Sequence, residues 1–307
     1  MSDLLPYNPA FVGYAKGLPN LGNSCYLNSL LQCLLSCSSV FEVATKQPNV
    51  NQLSILLNEL HLAARDPSSN LSDLCVRFWR TIISASMSRR DRIQFSFGSQ
   101  QDSHEGLMLL LDMFESLPNV RRLFEHRHRL KIVCGECSTV CVDKQELGTV
   151  FEVQPDLKSA QLEVFKDLDR YYGSRMSLND FLRSQNGYVE GYNCTKCSSK
   201  KPKFKTVSLT MVPEILPIVI KKYEHKELTP FPEYLDFVTV SGRSKFVYRL
   251  IAQSEHSGTQ AGGHYYAHCL RADRWHCLND SSVSQVEPGA TPNTYLIFYH
   301  YVSEIMI

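Results

Sequence analysis

The chain has 307 residues, 32 basic and 31 acidic side chains, a net charge of +1 and 43% hydrophobic residues. This is ordinary globular material, long enough for one large core or two smaller ones, and its near-neutral charge argues against a nucleic-acid binder, which normally carries a basic excess or a basic stripe. No apolar run reaches the roughly 18 to 20 residues needed to span a bilayer, and the opening MSDLLPYNPAFVGY has no basic segment followed by a long apolar one. No membrane partner is expected; a cytoplasmic or nuclear location is, with the 11 cysteines as reduced thiols.

In chain order, a turn-like GLPNLGNS segment leads into Leu27, Leu30, Leu31, Leu34 and Leu35, spaced along one helix face, so a helix begins close to Cys25. Leu53, Leu56, Leu57 and Leu60 repeat the pattern, as do Leu107, Leu110, Leu111 and Phe114, with Pro118 expected to stop that helix. After residue 120 the texture changes to short β-branched or aromatic runs: Leu130–Cys134, Val140–Val142, Val207–Val212, Ile215–Ile220, Phe246–Ile251, His264–Leu270 and Tyr295–Tyr301. Helices followed by strands indicate an α+β protein with a site in the cleft between the layers. The polar, Gly-bearing stretch from Ser254 to Ala261 is expected to be a mobile loop.

Cys25 stands where Gly22, Asn23 and Ser24 enter a helix, and the unsatisfied N–H groups there favour thiolate, as a nucleophile requires. The alternative is a small buried residue opening a core helix. Asn20, five residues earlier, can aim its amide at a developing oxyanion or can simply fill a turn. A base is needed, and His264 in GGHYYAH is set apart by Gly262 and Gly263, which allow an extended substrate backbone to approach, and by the strand that Tyr265 and Tyr266 begin. His268, four residues on, is expected to be packed or exposed. Asn279 or Asp280 can hold the imidazole tautomer, although an Asn-Asp pair is also a common turn.

Cys134 and Cys137 in VCGEC, with Cys194 and Cys197 in NCTKC, form two knuckles that together make a tetrahedral, structural Zn2+ site. His126 and His128, near the first pair, are expected to be exposed. Asp102 and Glu105 fit a helix-capping pattern before an apolar run.

GLPNLGNSCYLNSLLQ at 17–32 and GGHYYAHCLRADRWHCLNDSSV at 262–283 resemble the Cys and His boxes of the ubiquitin-specific proteases, papain-like cysteine deubiquitinases. The resemblance extends through QQDSHEGLMLLLDMF at 100–114, the paired CxxC motifs and PEILPIVIKKYE at 213–224. It implies one catalytic domain over 1–307 with a helical thumb (about 1–120), zinc-tipped fingers (121–212) and a β-rich palm (213–307). It implies hydrolysis of the isopeptide bond after the C-terminal glycine of ubiquitin, with ubiquitin and ubiquitinated proteins as partners of a monomeric enzyme.

By the same resemblance Cys25 is the nucleophile, His264 the base, Asn20 the oxyanion-hole residue and Asn279 the third triad member, with Asp280 a second acidic residue implicated in catalysis. Asp102, Glu105, Tyr223 and Tyr265 correspond to contacts with the arginine-bearing tail of ubiquitin. The chain departs from the family pattern at Ser24, at His104, and in Lys222 and Tyr223, which replace an Arg and a Phe and lose the guanidinium fork. Three other functions fit parts of the sequence: a protease for a ubiquitin-like modifier, a catalytically silent ubiquitin-binding scaffold, and a zinc-organised interaction module.

Overall fold

The computed structural model describes residues 4–47, 50–87, 98–153, 175–177, 187–220, 231–238, 243–259 and 262–307. Tyr223 and the neighbouring Lys221 and Lys222 lie outside the described residues.

The helical part comprises α1 (Cys25–Leu34), α2 (Ser38–Thr45), α3 (Gln52–Arg65), α4 (Ser72–Met87), α5 (Ser103–Met113) and α6 (Pro118–Arg122). Every residue of α1 is buried. It is therefore a central helix, apolar nearly all round, and the other helices turn one face to the core it occupies. Those faces are Leu53, Leu56, Leu57 and Leu60 of α3, Phe78, Trp79 and Ile82 of α4, and Leu107, Leu110 and Leu111 of α5. Local signals fix the helix starts. Asn51 and Ser54 make a reciprocal capping box on α3, and Asp102 caps α5 through the N–H groups of His104 and Glu105. Pro118 does not stop α5. That helix has already ended at Met113, and Pro118 opens α6, where a missing N–H costs nothing because the first helical N–H groups have no partner.

Among the described residues thirteen strands follow: β1 (His126–Val133), β2 (Val140–Gly148), β3 (Phe151–Val153), β4 (Arg175–Ser177), β5 (Gly187–Val189), β6 (Lys203–Met211), β7 (Ile215–Ile220), β8 (Tyr234–Val238), β9 (Ser244–Thr259), β10 (Gly262–Arg271), β11 (Arg274–Asn279), β12 (Ser282–Gln285) and β13 (Thr294–Met306). They form a four-stranded sheet in the order β2-β1-β6-β5 and a nine-stranded sheet in the order β12-β11-β10-β9-β13-β7-β3, with β8 on β9 and β4 on β8. The large sheet is buried on both faces, which explains the unbroken apolar run of β13. Leu296 and Phe298 join the helical core, whereas Ile297, Tyr299 and Tyr301 join a second core on the other face with Leu216, Ile218 and Tyr248.

Three features lock α1 onto this sheet. Arg271, at the end of β10, is buried and donates to Ser36 Oγ and, at 2.7 Å, to the carbonyl of Gln32. Ser254 Oγ meets Ser29 Oγ at 3.0 Å. Leu27 and Leu30 share one core with Ala267 and Cys269 of β10.

The stretch expected to be a loop at 254–261 is strand through Thr259, and residues 260 and 261 lie outside the described residues. Its polar residues are satisfied inside the fold: Glu255 is fully buried and accepts from Thr291 Oγ1 and Thr294 Oγ1. At the other end of β10 a two-residue turn, Ala272 (φ 47) and Asp273 (φ 59), reverses the chain into β11, with Arg271 opposite Arg274. No single described helix is long and apolar enough to cross a membrane.

Candidate active site and candidate metal centre

Cys25 is the first residue of α1, reached through two left-handed residues, Gly22 (φ 82) and Asn23 (φ 58). The turn is held by Ser24 Oγ, which accepts from Leu21 N–H at 2.9 Å, and by Gly98 N–H, which donates to Gly22 O at 3.0 Å. The thiol is buried, and the backbone N–H groups of Tyr265, Tyr26 and Cys25 itself donate toward its sulfur. Tyr265 follows His264, so this contact brings the Cys and His segments together.

A helix start was expected to favour thiolate. The Cys25 thiol is instead held above its usual value, because burial outweighs the backbone N–H groups and the Asp280 charge opposes ionisation. The resting group is the thiol, and a base must take its proton.

His264 stands half-buried on β10 with its Nε2 2.6 Å from Asn279 Oδ1. The amide oxygen only accepts, so Nε2 carries the proton and Nδ1 is left with its lone pair. The pair rests on neighbouring strands, with β10 and β11 in register from Ala267 opposite Leu278 to Arg271 opposite Arg274. His268 is buried, bonded through Nδ1 to Gln253 at 3.2 Å, and burial lowers its pKa to about 4.

Asp280 does not join this pair. It takes a left-handed conformation (φ 47), its carbonyl accepts from Leu18 N–H at 2.8 Å, and its carboxylate faces the turn before Cys25. Oδ2 accepts from Asn20 Nδ2 at 2.9 Å and Oδ1 from Asn28 Nδ2 at 2.7 Å. Asn20 Oδ1 in turn accepts from the N–H groups of Gly22 at 3.0 Å and Ser24 at 3.3 Å. The exposed Asn20 amide is thereby oriented with its NH2 on the Asp280 carboxylate, on the same turn as the backbone N–H of Cys25. Two donors near a thiol can hold an oxyanion.

Gly262 and Gly263 were singled out for backbone approach from outside. Gly263 is also required from below, since a Cβ there would lie 2.3 Å from His256 Nε2 and 2.6 Å from Ser257 O. Its outward edge is taken by Gln100, whose Nε2 donates to Gly263 O at 2.8 Å and whose Oε1 accepts from Gly263 N–H at 3.0 Å. The sequence drew attention to the QQD segment through Asp102 and overlooked Gln100.

Asp102 uses one oxygen to cap α5 and the other to accept from Tyr295 OH at 2.6 Å. Burial and the neighbouring Asp102 raise the Glu105 carboxyl above its ordinary value, and no basic side chain pairs with it among the described residues. These carboxylates suit a cationic ligand. Tyr265 was expected to contact a ligand tail; its ring is buried against His256 and Tyr295, with Ser103 beside its hydroxyl. What it offers the site is its backbone N–H.

The two CxxC knuckles meet at one end of the four-stranded sheet. Each has the same backbone bond: Ser138 N–H donates to Cys134 O and Ser198 N–H to Cys194 O, both at 2.9 Å, with Ser138 (φ 56) and Ser198 (φ 55) both left-handed. The four sulfurs lie within 4.8 Å of one another, with Cys134 to Cys197 at 3.7 Å and Cys137 to Cys194 at 3.5 Å. A tetrahedral thiolate site with bonds of about 2.3 Å needs sulfurs about 3.8 Å apart, so this group can hold a metal ion. The fully buried Lys203 braces the second knuckle by donating to Ser199 O at 3.0 Å.

His126 and His128 do not belong to this group and are not both exposed. His126 is buried and stacks on Phe151 at 4.0 Å, which, with His128 beside it, lowers its pKa to about 3. His128 is half-buried and bonds Glu146 at 3.1 Å.

A ubiquitin carboxyl-terminal hydrolase family model matches residues 16–299. Curated relatives include the mouse ubiquitin carboxyl-terminal hydrolase 17-like protein B, 26% identical over 94% of this chain and 64% of its own length, and the bovine ubiquitin carboxyl-terminal hydrolase 2, 28% identical over 94% and 55%. The chain thus spans less than two thirds of either relative. The Saccharomyces cerevisiae ubiquitin carboxyl-terminal hydrolase 8 is 23% identical over 92% of this chain and 70% of its own.

Among solved structures, a SAGA DUB module of Ubp8, Sgf11, Sus1 and Sgf73 bound to monoubiquitin matches with a TM-score of 0.73 at 20% identity, over 98% of this chain and 72% of that one. The same module bound to ubiquitin aldehyde gives 0.72 at 20% identity, over 99% and 72%. At this identity the likeness establishes the fold alone, a papain-like α+β fold. Because the family match begins ahead of Cys25, runs past the Asn279–Asp280 pair and takes in most of the chain, the protein is a member of the ubiquitin carboxyl-terminal hydrolase family.

Proposed function

We propose that this chain removes ubiquitin from protein conjugates by cleaving the isopeptide bond after its C-terminal glycine, with Cys25 as nucleophile. The observation that carries the reading is the His264 Nε2 bond to Asn279 Oδ1, which frees Nδ1 on the strand whose next residue donates its N–H to Cys25. The Cys25 proton passes to Nδ1 as sulfur attacks the carbonyl carbon. Asn20 Nδ2–H and the Cys25 N–H bind the oxyanion, and the imidazolium protonates the leaving lysine amine to give a thioester. His264 then takes a proton from water, which hydrolyses the thioester and frees the carboxylate. Asn279 orients the imidazole without adding negative charge.

Asp102 and Glu105 receive arginines of the ubiquitin tail in this reading, with Tyr265 acting through its backbone. The thumb, fingers and palm fall at about 1–120, 121–212 and 213–307. Zinc held by Cys134, Cys137, Cys194 and Cys197 clamps the two finger segments, remote from the chemistry. Ubiquitin and its conjugates are the partners of a monomer working in the reducing cytoplasm or nucleus, which both sets of thiols require.

The test is a ubiquitin probe with a thiol-reactive C-terminus, run beside probes made from ubiquitin-like modifiers. Labelling at Cys25 by the ubiquitin probe, lost in Cys25→Ala, is the expected result. Unchanged labelling of Cys25→Ala would remove the nucleophile assignment.

A further inference from the structure

The Asp280 carboxylate that orients Asn20 is itself approached from the buried side by a polar chain. Asn28, one turn along α1 from Cys25, is 2% exposed. Its Nδ2 donates to Asp280 Oδ1 at 2.7 Å and to Pro19 O at 3.0 Å, and its Oδ1 accepts from the indole Nε1 of Trp79 at 3.1 Å. Cys75 Sγ, 3.7 Å away, points at the same oxygen. Trp79 is fully buried on α4 and reaches α1 through this bond to Asn28.

The direction of the chain is fixed at both ends, because the Asp280 carboxylate and the Pro19 carbonyl only accept. An indole N–H can only donate. It therefore requires the oxygen of Asn28 to face it, which turns the Asn28 NH2 toward Asp280. A carboxylate receiving a donor at Oδ1 remains an acceptor at Oδ2, and that acceptor holds the Asn20 NH2, whose oxygen the Gly22 and Ser24 N–H groups secure. Without the indole donor the buried Asn28 oxygen would keep only the weak thiol donor of Cys75, and the amide, less firmly seated, would let Asp280 shift and with it Asn20. A buried polar chain of this kind is worth keeping only if each member is satisfied.

We infer that Trp79 and Asn28 are positioning residues for the oxyanion-binding amide of Asn20, acting through Asp280; this rests on the hydrolase reading above. Trp79 anchors the chain at its buried end, and Asn28 carries that anchoring to Asp280.

The experiment compares wild type, Trp79→Phe, Asn28→Asp, Asp280→Ala and the Trp79→Phe/Asp280→Ala pair. One readout is hydrolysis of a fluorogenic ubiquitin C-terminal amide, with kcat and KM separated. The other is alkylation of Cys25 by iodoacetamide, quantified on the Cys25 peptide. Displacement of iodide puts no charge on a carbonyl oxygen, so it needs the thiol and the imidazole but not Asn20. The expected result is a kcat lower by roughly tenfold or more in Trp79→Phe, with KM and Cys25 alkylation unchanged. Asn28→Asp should show the same split, and the pair should be no slower than Asp280→Ala alone. An active wild type with unchanged kcat in both Trp79→Phe and Asn28→Asp overturns this inference alone. Equal loss of turnover and alkylation also overturns it, as damage to the scaffold. An inactive wild type would remove the hydrolase reading and this inference with it.

Discussion

Asn279 and Asp280 are adjacent in sequence and serve opposite sides of the site. Asn279 accepts from His264 at 2.6 Å, while the left-handed backbone of Asp280 turns its carboxylate away, to Asn20 at 2.9 Å. In the proposed mechanism one residue orients the base and the other orients an oxyanion donor. Alanine at the two positions should therefore give different signatures. Asn279→Ala should slow both ubiquitin-amide hydrolysis and iodoacetamide alkylation of Cys25, because the imidazole is loosened. Asp280→Ala should slow hydrolysis by roughly a hundredfold, the loss typical of one oxyanion donor, and speed alkylation, because the charge that opposes ionisation of Cys25 is gone. Identical signatures from the two variants would contradict this division.

Burial and Asp280 hold the Cys25 thiol above its ordinary value of 9.0. At neutral pH the free chain thus carries a thiol, and the fraction of thiolate grows as pH rises through and beyond that value. Alkylation of Cys25 should keep climbing above pH 9. A rate that levels off near pH 6 to 7 would mean a stored thiolate and imidazolium, against the burial seen here.

Zinc should be present at about one ion per chain, measured by elemental analysis, and lost in Cys194→Ser. Removing it by a strong chelator should lower the melting temperature and weaken ubiquitin binding, since structural sites contribute folding energy. Alkylation of Cys25 in the part that stays folded should be unchanged. A metal-free chain with full thermal stability would refute a structural role for the four cysteines.

Four histidines are buried as neutral rings: His61, His268 and His300 are lowered to about 4 and His126 to about 3, from 6.5. Below pH 6.5 the unfolded chain takes up protons that the folded chain refuses, so stability falls as pH drops from about 6.5 toward 4. Glu214, raised to about 7 by burial, works the other way, because between its ordinary 4.5 and 7 only the folded form keeps that proton. Four rings outweigh one carboxyl, and the melting temperature should fall steadily between pH 6.5 and 5. A constant or rising melting temperature over that interval would show that the rings titrate in place.

Much of this was legible in the residues. The Leu spacing of α1 and the alternating runs of the sheet announce their elements, and the Cys25, His264 and CxxC segments announce chemistry through residue type and local turn. The thiol's acidity was not legible: a helix start is visible in sequence, whereas the burial that outweighs it comes from a strand some 240 residues away. His126 reads as polar surface until Phe151 closes over it. The Ser254 to Thr259 stretch reads as a loop because its partners Ser29, Thr291 and Thr294 are distant in the chain. Trp79 and Asn28 have the look of packing residues on amphipathic helices, and their mutual 3.1 Å bond, with the bonds of Asn28 to Asp280 and Pro19, separates them from the core around them.

The two-residue turn at Ala272 and Asp273 acts as the origin from which the base and its orienting amide are counted off. Side chains alternate faces along a strand, so the length of that turn decides which residue of β11 meets His264. A single residue inserted there would carry Asn279 to the opposite face and bring an apolar or acidic neighbour, Leu278 or Asp280, toward the imidazole. The tautomer at the centre of the chemistry is thus set by a corner of the sheet that touches neither ring nor thiol.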